Sequence, residues 1–505
     1  MIKVRGAIIL CGILLLAIST GHAQTYVESA LLFSQTKVGG SSRIQAMGGS
    51  QTALGGDYSS AFSNPAGLGM FNRSEVTFTP AVTSAKTTAS YLGNVDESTK
   101  TRFNIPGISF IFNMPMNKGG FVSGSFGISL NRTNDFNRST FYHGRNVDTS
   151  IIDYFIDDAF GSDTDQFAEK GGFQFNTPTG LAYYNYLIGP LSIMDQSEPD
   201  DEYFSDVKGV PDQQEIIQTK GSSNQWNFSY GANFKDMLFI GAGIGITSLK
   251  YTSEKNFSED FDDDDVFNRL GLNEYLDLKG NGINATVGAI VRPQDFLQLG
   301  VSFTTPTYYE FSETYSANMA TSWKNFDYYG DGSELLNNEQ AATDIVTSDY
   351  SLVTPLKVSS GVAFISKYGI ITGDVEFTNP SKARYSSNIS GIEFSQENKG
   401  IKAAYQSVVN YRIGGEFRYE KLRVRAGYGV QGSSYSESIA LDNSIKSITG
   451  GVGVRFQKFY ADFALVHSSG KNSYNPYSFF DGINDPVVDL KTKILTGMLT
   501  FGFAF

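Results

Sequence analysis

The sequence of 505 residues is poor in the groups that carry covalent and metal chemistry. It holds one cysteine, Cys11, three histidines and two tryptophans. Cys11 lies in an opening segment that reads as removable, so the rest offers no disulfide, thiol nucleophile or cysteine metal site. Past His22 only His143 and His467 remain. His467 stands beside Ser468, but neighbours on a strand point to opposite faces, so they do not make a nucleophile–base pair. Haem would need a fixed axial ligand. Neither enzyme chemistry nor a cofactor is expected. Positive charge is also short: 39 Lys and Arg stand against 52 Asp and Glu, a net charge of -13. Removing Lys3 and Arg5 with the opening segment, which has no acid, leaves about -15, the wrong sign for nucleic acid. Beyond that segment there is no long apolar run, and mean hydropathy is -0.20. A helical membrane protein is thereby excluded. No linker-like break divides the chain.

The opening segment, residues 1–23, has a short basic end (Lys3, Arg5), an apolar run from Ala7 to Ala17 and a small-residue exit, Gly21-His22-Ala23. It reads as a secretory signal cut before Gln24. Its apolar run is shorter than the roughly 20 residues of a helical span.

What the chain has is glycine and aromatics: 53 Gly, 39 Phe and 28 Tyr. They are arranged with period two. In the final stretch Leu495, Gly497, Leu499, Phe501, Phe503 and Phe505 share one parity, and Thr496, Met498, Thr500, Gly502 and Ala504 the other. This is a strand with two unlike faces. From Glu75–Ser84 to Lys491–Phe505 fourteen such runs can be read, an even number that suits a bacterial barrel. Their connections alternate between tight turns, such as Lys235-Asp236 and Glu420, and long loops at 132–223, 252–281 and 306–354. Short turns on one side and long loops on the other suit a transmembrane barrel with its loops outside. The expected fold is an all-β, 14-stranded antiparallel transmembrane β-barrel over 74–505. Residues 24–73, which do not read as strand, precede it as a hatch.

Side-chain facing follows from cost. An Arg or Lys on the lipid face at mid-membrane costs about 2–4 kcal/mol. Arg412, Arg418, Arg423, Arg425 and Arg455 are therefore assigned to the lumen, as are Asp374, Glu376 and Asp462 by the same parity. Buried charges need partners. Two roles stay open: a network that holds the hatch, or capture of a ligand head group by Arg412 and Arg425.

The segment Gly55–Phe71, GGDYSSAFSNPAGLGMF, carries Asp57, small residues, then Asn64-Pro65-Ala66 just before the first strand. It resembles the N-terminal hatch of the FadL/TodX-type outer-membrane transporters of long-chain fatty acids and aromatic hydrocarbons. The resemblance continues through the hairpin Thr354–Arg384, where the family usually has a Trp and this chain has Phe377 and no Trp there. It extends through Tyr411–Tyr435, with Arg425-Ala426-Gly427-Tyr428, and through Gly450–Gly470. It implies a plugged barrel in the outer membrane. An apolar small molecule is caught among the outer loops, held in a lumen pocket and released sideways through a gap at a kinked third strand. The expected partners are that hydrophobic substrate and outer-membrane lipid, the chain itself being a monomer. The third strand here contains Gly124 and Gly127, and glycine in a strand marks a bulge or bend. The gap is expected there, with Asn64, Pro65 and Ala66 packed against it as the gate; the other reading is that these glycines only ease curvature.

Weaker signals carry less. The acidic run Ser258–Asp265 and the stretch Asp327–Gly332 offer clustered oxygens, but neither matches an EF-hand, and both read as solvated loops. Gly241-x-Gly243-x-Gly245 lies on an alternating run with no helix after it, so it is not a nucleotide loop. A second functional class stays open: a barrel of this type that docks or shuttles proteins for a secretion machine. An apolar tunnel from the loops to a wall gap favours transport. A sealed wall with a large apolar loop surface favours docking.

Overall fold

The computed structural model describes residues 20–168, 175–193, 199–389, 392–439, 441–480 and 482–505. Most of the expected signal, residues 1–19, lies outside the described residues; helix α1 (Thr20–Ser34) runs across the expected cut site.

Fourteen strands form the wall: β1 (Glu75–Tyr91), β2 (Asn94–Lys118), β3 (Phe121–Asp135), β4 (Asp212–Phe234), β5 (Leu238–Asp260), β6 (Phe267–Gln294), β7 (Leu297–Thr304), β8 (Lys357–Ser366), β9 (Gly369–Thr378), β10 (Val408–Tyr419), β11 (Leu422–Gln431), β12 (Ile445–Arg455), β13 (Phe459–Tyr474) and β14 (Val488–Ala504). Each is antiparallel to the next, and β14 returns to β1, with Glu75 opposite Ala504 and Ser90 opposite Asp489. The expected 14-stranded barrel is therefore the observed one. Parity sorts the side chains as predicted. Phe78 and Val82 on β1, Phe228 and Tyr230 on β4, Ile244 and Ile246 on β5 and Leu495 and Leu499 on β14 are exposed. Thr77, Thr79, Ala81, Asn227, Ser229, Thr247, Met498 and Thr500 are buried between them. An apolar exterior around a closed ladder is the form that strands take in lipid, where backbone N–H groups have no water to turn to. The β4–β5 turn has Lys235 and Asp236 at φ +54° and +55°, which matches the twist of a two-residue hairpin.

The loop side is more ordered than the sequence suggests. The expected loop 252–281 is mostly ladder: β5 and β6 stay paired out to Asp260 opposite Arg269. The 306–354 region holds three more strands, Tyr308–Asp327, Leu335–Ala342 and Val346–Val353, the first paired with the outer half of β6. Alternation persists there, but its outward residues turn polar above the apolar band, so the hydrophobic signal fades while the ladder goes on. The 132–223 region adds a strand, Arg138–Arg145, on the outer part of β4, and helices α4 (Ile151–Ala159), α5 (Asp165–Ala168) and α6 (Pro178–Tyr184). Ser150 and Asp153 cap α4 reciprocally. Ile151, Ile152 and Phe155 of α4 and Leu181 of α6 then join Phe257, Phe267, Leu272 and Trp323 in one buried core. The result is a packed outer cap. Asp264 ties its base. Burial would raise this carboxyl, but N–H groups of Lys208, Val266, Gly209 and Phe267 donate to it and hold it below the usual carboxylate range.

Inside the barrel lie α1, α2 (Ser42–Ala46), α3 (Ser60–Ser63) and the tight turn Pro65–Met70. Ala30, Leu31 and Phe33 of α1 are buried against Leu249, Leu278, Tyr309, Phe311 and Tyr385.

Candidate functional site

The hatch seats on backbone because the wall leaves it room. A Cβ on Gly241 would lie 2.3 Å from Pro65 C, and one on Gly231 2.4 Å from Pro65 O. A Cβ on Gly288 would lie 2.0 Å from Asn64 Oδ1, and one on Gly414 2.2 Å from Met47 O. Asn64 and Pro65 therefore rest on β4, β5 and β6, not on a kink in β3. Asn64 donates from Nδ2 to Thr52 O at 2.7 Å, and its Oδ1 accepts from Ala66 N at 3.3 Å, so Asn64, Pro65 and Ala66 hold one turn together. Gly124 and Gly127 lie in an unbroken ladder: Gly124 stands between Met114 and Ala232, and Gly127 between Ile111 and Ser229. The opening expected at those two glycines is not there. They serve close packing instead, since a Cβ on Gly124 would meet Tyr230 Oη at 2.0 Å and one on Gly127 would meet Ile111 Cδ1 at 2.9 Å.

The lumen charges form a network. Arg43 of the hatch lies 3.5 Å from Glu416, which pairs with Arg425 at 2.7 Å and Arg418 at 2.8 Å. Arg425 also pairs with Asp462 at 2.7 Å, and Asp462 with Arg455 at 3.0 Å. Arg412 pairs with Glu376 at 3.1 Å. Asp374 Oδ2 accepts from Gln51 N at 2.7 Å, Thr52 N at 2.8 Å and Thr52 Oγ1 at 2.9 Å. Arg412 and Arg425 do not line the lumen cavity: half-buried Glu376 pairs with Arg412, and buried Glu416 and Asp462 pair with Arg425.

That cavity, about 830 Å³, lies between α1 and the outer cap. Leu31 and Leu32 of α1 form its floor, Ile151, Tyr154 and Phe155 of α4 its roof, and Tyr251, Leu272, Tyr315, Tyr405 and Ile494 part of its sides. It is large enough for a drug-sized or lipid-like molecule. The resemblance implied a lumen pocket but not its lining, because its walls come from α1, the cap and strands far apart in the chain.

One side of the cavity meets a lapse in the wall. The β2–β3 ladder ends at Gly107 opposite Asn131. Outward of Pro106, β2 pairs with β1, and among the described residues no backbone pairing joins it to β3 or to Arg138–Arg145. Side chains bridge the seam. Asn94 Nδ2 donates to His143 O at 3.2 Å, His143 Nδ1 lies 2.8 Å from Asp96, and Lys100 Nζ donates to Thr219 O at 3.4 Å. Asp135 receives Arg102 at 3.5 Å and Arg132 at 3.8 Å. Among the described residues Arg102 Nε and Arg132 Nη1 have no hydrogen-bond acceptor. Lys37, Asp135 and Arg138 line the cavity beside this seam, giving an apolar chamber a cationic corner.

Fold and interior together define a plugged 14-stranded β-barrel with an internal cavity. Among solved structures, a FadL homologue of Pseudomonas aeruginosa superposes with a TM-score of 0.56 at 12% identity, covering 94% of this chain and 100% of that one. The toluene transporter TbuX of Ralstonia pickettii gives 0.50 at 14% identity, covering 92% and 98%. The resemblance carried by Asn64-Pro65-Ala66 and the later hairpins thus extends to the fold. No protein-family model and no curated protein matches the sequence.

Proposed function

We propose that this chain is an outer-membrane channel for passive uptake of hydrophobic small molecules, long-chain fatty acids or aromatic hydrocarbons. The cavity between hatch and cap carries this reading: Leu31, Leu32, Ile151, Tyr154, Phe155 and Tyr251 give it a mainly apolar surface, with charged groups such as Lys255, Glu274 and Glu313 at points along it. A tail entering it gains about 0.8 kcal/mol for each CH₂ taken from water, so transfer towards the bilayer is downhill without an energy source. Solute is caught among the outer loops, rests against Leu31, Leu32, Tyr154 and Tyr251, and leaves sideways. The lapse between β2 and β3 outward of Gly107 supports a lateral route better than Gly124 and Gly127 do. The cationic corner at Lys37 and Arg138 suits the carboxylate of a fatty acid while the tail lies along the apolar wall.

The test is mass spectrometry of what organic extraction releases from the purified protein. A long-chain acid or a neutral hydrophobe, in near-stoichiometric amount, is expected. An empty lumen together with a co-purifying protein would refute transport and favour the docking or shuttle role.

A further inference from the structure

On the outer face of β12, β13, β14 and β1, lysines gather in two neighbouring register rows. In the first row Lys446, Ser469, Lys493 and Lys86 stand opposite one another in turn. In the next row towards the loops Lys471 faces Lys491, which faces Thr88. The row just below the lysines runs Ile448, His467, Leu495, Ser84, and the one below that Leu465, Gly497, Val82. Ile448, Leu465, Leu495 and Val82 are exposed on the apolar band. The lysines therefore begin where that band ends, on the long-loop side. Four strands at about 4.8 Å spacing make the patch some 14 Å wide.

This arrangement is costly by itself. Lys86 and Lys493 are direct cross-strand partners, and so are Lys471 and Lys491. Like charges directly opposite each other destabilise a sheet. The chain as a whole is acidic, yet these two rows hold one carboxylate, Glu97, which pairs with Lys86 at 2.7 Å. Asp442 and Asp489 lie further towards the loops. Among the described residues no ion pair engages Lys446, Lys471, Lys491 or Lys493. Elsewhere Lys220 pairs with Glu254 at 3.1 Å and Lys279 with Asp277 at 3.2 Å, and Lys250, opposite Lys279, is the one member of that smaller group with no ion pair among the described residues. An anion bound at the rim of the apolar band removes the repulsion, and lysine clusters beside a bilayer are the usual means of holding anionic lipid.

We propose that this face binds the phosphate-bearing head group of an outer-leaflet lipid, with the acyl chains lying on Ile448, Leu465, Leu495 and Val82. The inference rests on the reading of the chain as an outer-membrane barrel. It is independent of what the lumen carries.

The full chain is reconstituted in phosphatidylcholine vesicles that contain either lipid A, a phosphomonoester, or phosphatidylglycerol, a phosphodiester. It is then re-extracted in mild detergent, and retained lipid is counted by native mass spectrometry. At least one phosphorylated lipid is expected to stay bound in preference to phosphatidylcholine. The arm that retains it identifies the source. A variant with Lys446→Gln, Lys471→Gln, Lys491→Gln and Lys493→Gln should lose that retention at least tenfold, while Lys220→Gln with Lys279→Gln should keep it. Equal retention by the fourfold variant, or no preference over phosphatidylcholine, overturns the proposal. Failure of the wild-type chain to insert, seen as full protease sensitivity in vesicles, overturns the barrel reading itself and this inference with it.

Discussion

Replacing Asp374 tests how far one polar anchor holds the hatch. One carboxylate oxygen, Oδ2, accepts three donors from the hatch, while Oδ1 has no partner among the described residues. Asp374→Ala strands the N–H groups of Gln51 and Thr52 and frees the Thr52 hydroxyl. A buried donor left unmade costs about 1–3 kcal/mol, and the hydroxyl can rotate to another acceptor, so a total of about 3 kcal/mol is reasonable. That corresponds to a shift of roughly 150-fold towards a displaced hatch. Asp374→Asn behaves differently. Its amide oxygen can take the place of Oδ2 and its NH₂ the place of the unpartnered Oδ1, so only the charge is lost, about 1–1.5 kcal/mol or roughly tenfold. Hydrogen exchange at Leu54 is a suitable assay, because its N–H bonds to Gln51 O within the hatch and does not touch residue 374. Exchange there should quicken about a hundredfold in Asp374→Ala and about tenfold in Asp374→Asn, with the wall amides of β9 unchanged. Wild-type exchange in both variants, or a larger effect from Asn than from Ala, would refute the anchoring argument.

Other positions give further tests. Gly288→Val should unseat the hatch while the wall persists, since its Cβ would fall 2.0 Å from Asn64 Oδ1; protease should then cut within 24–73 and planar-bilayer conductance should rise. Leu32→Trp should fill part of the cavity floor and weaken hydrophobe binding several-fold, read by displacement of a fluorescent fatty acid, while the hatch turn at Asn64, Pro65 and Ala66 keeps its seat. Asp264 is depressed by its four N–H donors, so its contribution to the cap is complete above the unfolded carboxylate value of about 3.9 and is lost as pH falls through the lower folded value; cap protection from protease should fall in that acid window, and Asp264→Ala should lose it already at pH 7. Arg102→Cys with Asp135→Cys, joined by a short bismaleimide, should close the seam and block uptake; undiminished uptake after complete crosslinking would refute the lateral route there.

Much of the wall was legible because a closed sheet in lipid imposes period two on every strand. Arg412 and Arg425 could be placed inside from cost alone, and the tight turn at Lys235-Asp236 from the spacing of two such runs. Three things were not legible. The outer halves of β5 and β6 invert the contrast, with Leu249, Phe257, Leu272 and Leu278 facing inward and Lys250, Glu254, Asn273 and Lys279 outward, so the apolar exterior that marks a membrane strand is missing there. The seat of the hatch is written in glycines one strand apart, such as Gly231, Gly241 and Gly288. Each looks like ordinary barrel glycine until the register sets them side by side; Gly241 even sits in a pattern first weighed as a nucleotide loop. The seam was missed because Gly124 and Gly127 drew attention to β3. The ladder fails instead on the outer side of Pro106, a residue that has no N–H to offer it.

The glycine seats and the ion network make opposite demands on the hatch, and their combination suits a plug that must be firm without being fused to the wall. Close backbone contact at Gly241, Gly288 and Gly414 fixes position through shape, and apolar clusters add to it, Ile44, Met47 and Leu54 against Ala363 and Ile370, and Leu68 and Phe71 against Ile111. The charges fix it through pairs that only work as a set. Arg43 leans on Glu416, Glu416 on Arg425, and Arg425 on Asp462. Removing one member leaves its partner buried and unpaired, which costs several kcal/mol. A concerted displacement that keeps the wall's own pairs, Glu416–Arg425–Asp462–Arg455, intact gives up the Arg43 contact, the Asp374 anchor and neutral hydrogen bonds such as Ser42 N to Thr500 Oγ1 and Gly48 N to Thr449 Oγ1, but no ion pair within the wall. The wall is therefore electrostatically complete without the hatch. Deleting residues 24–73 should leave a folded barrel of normal mobility on a semi-native gel but with a conducting bore, whereas Glu416→Ala in the full chain should impair folding of the wall itself. If the deletion unfolds the barrel and Glu416→Ala does not, the division between a self-sufficient wall and a separately anchored hatch is wrong.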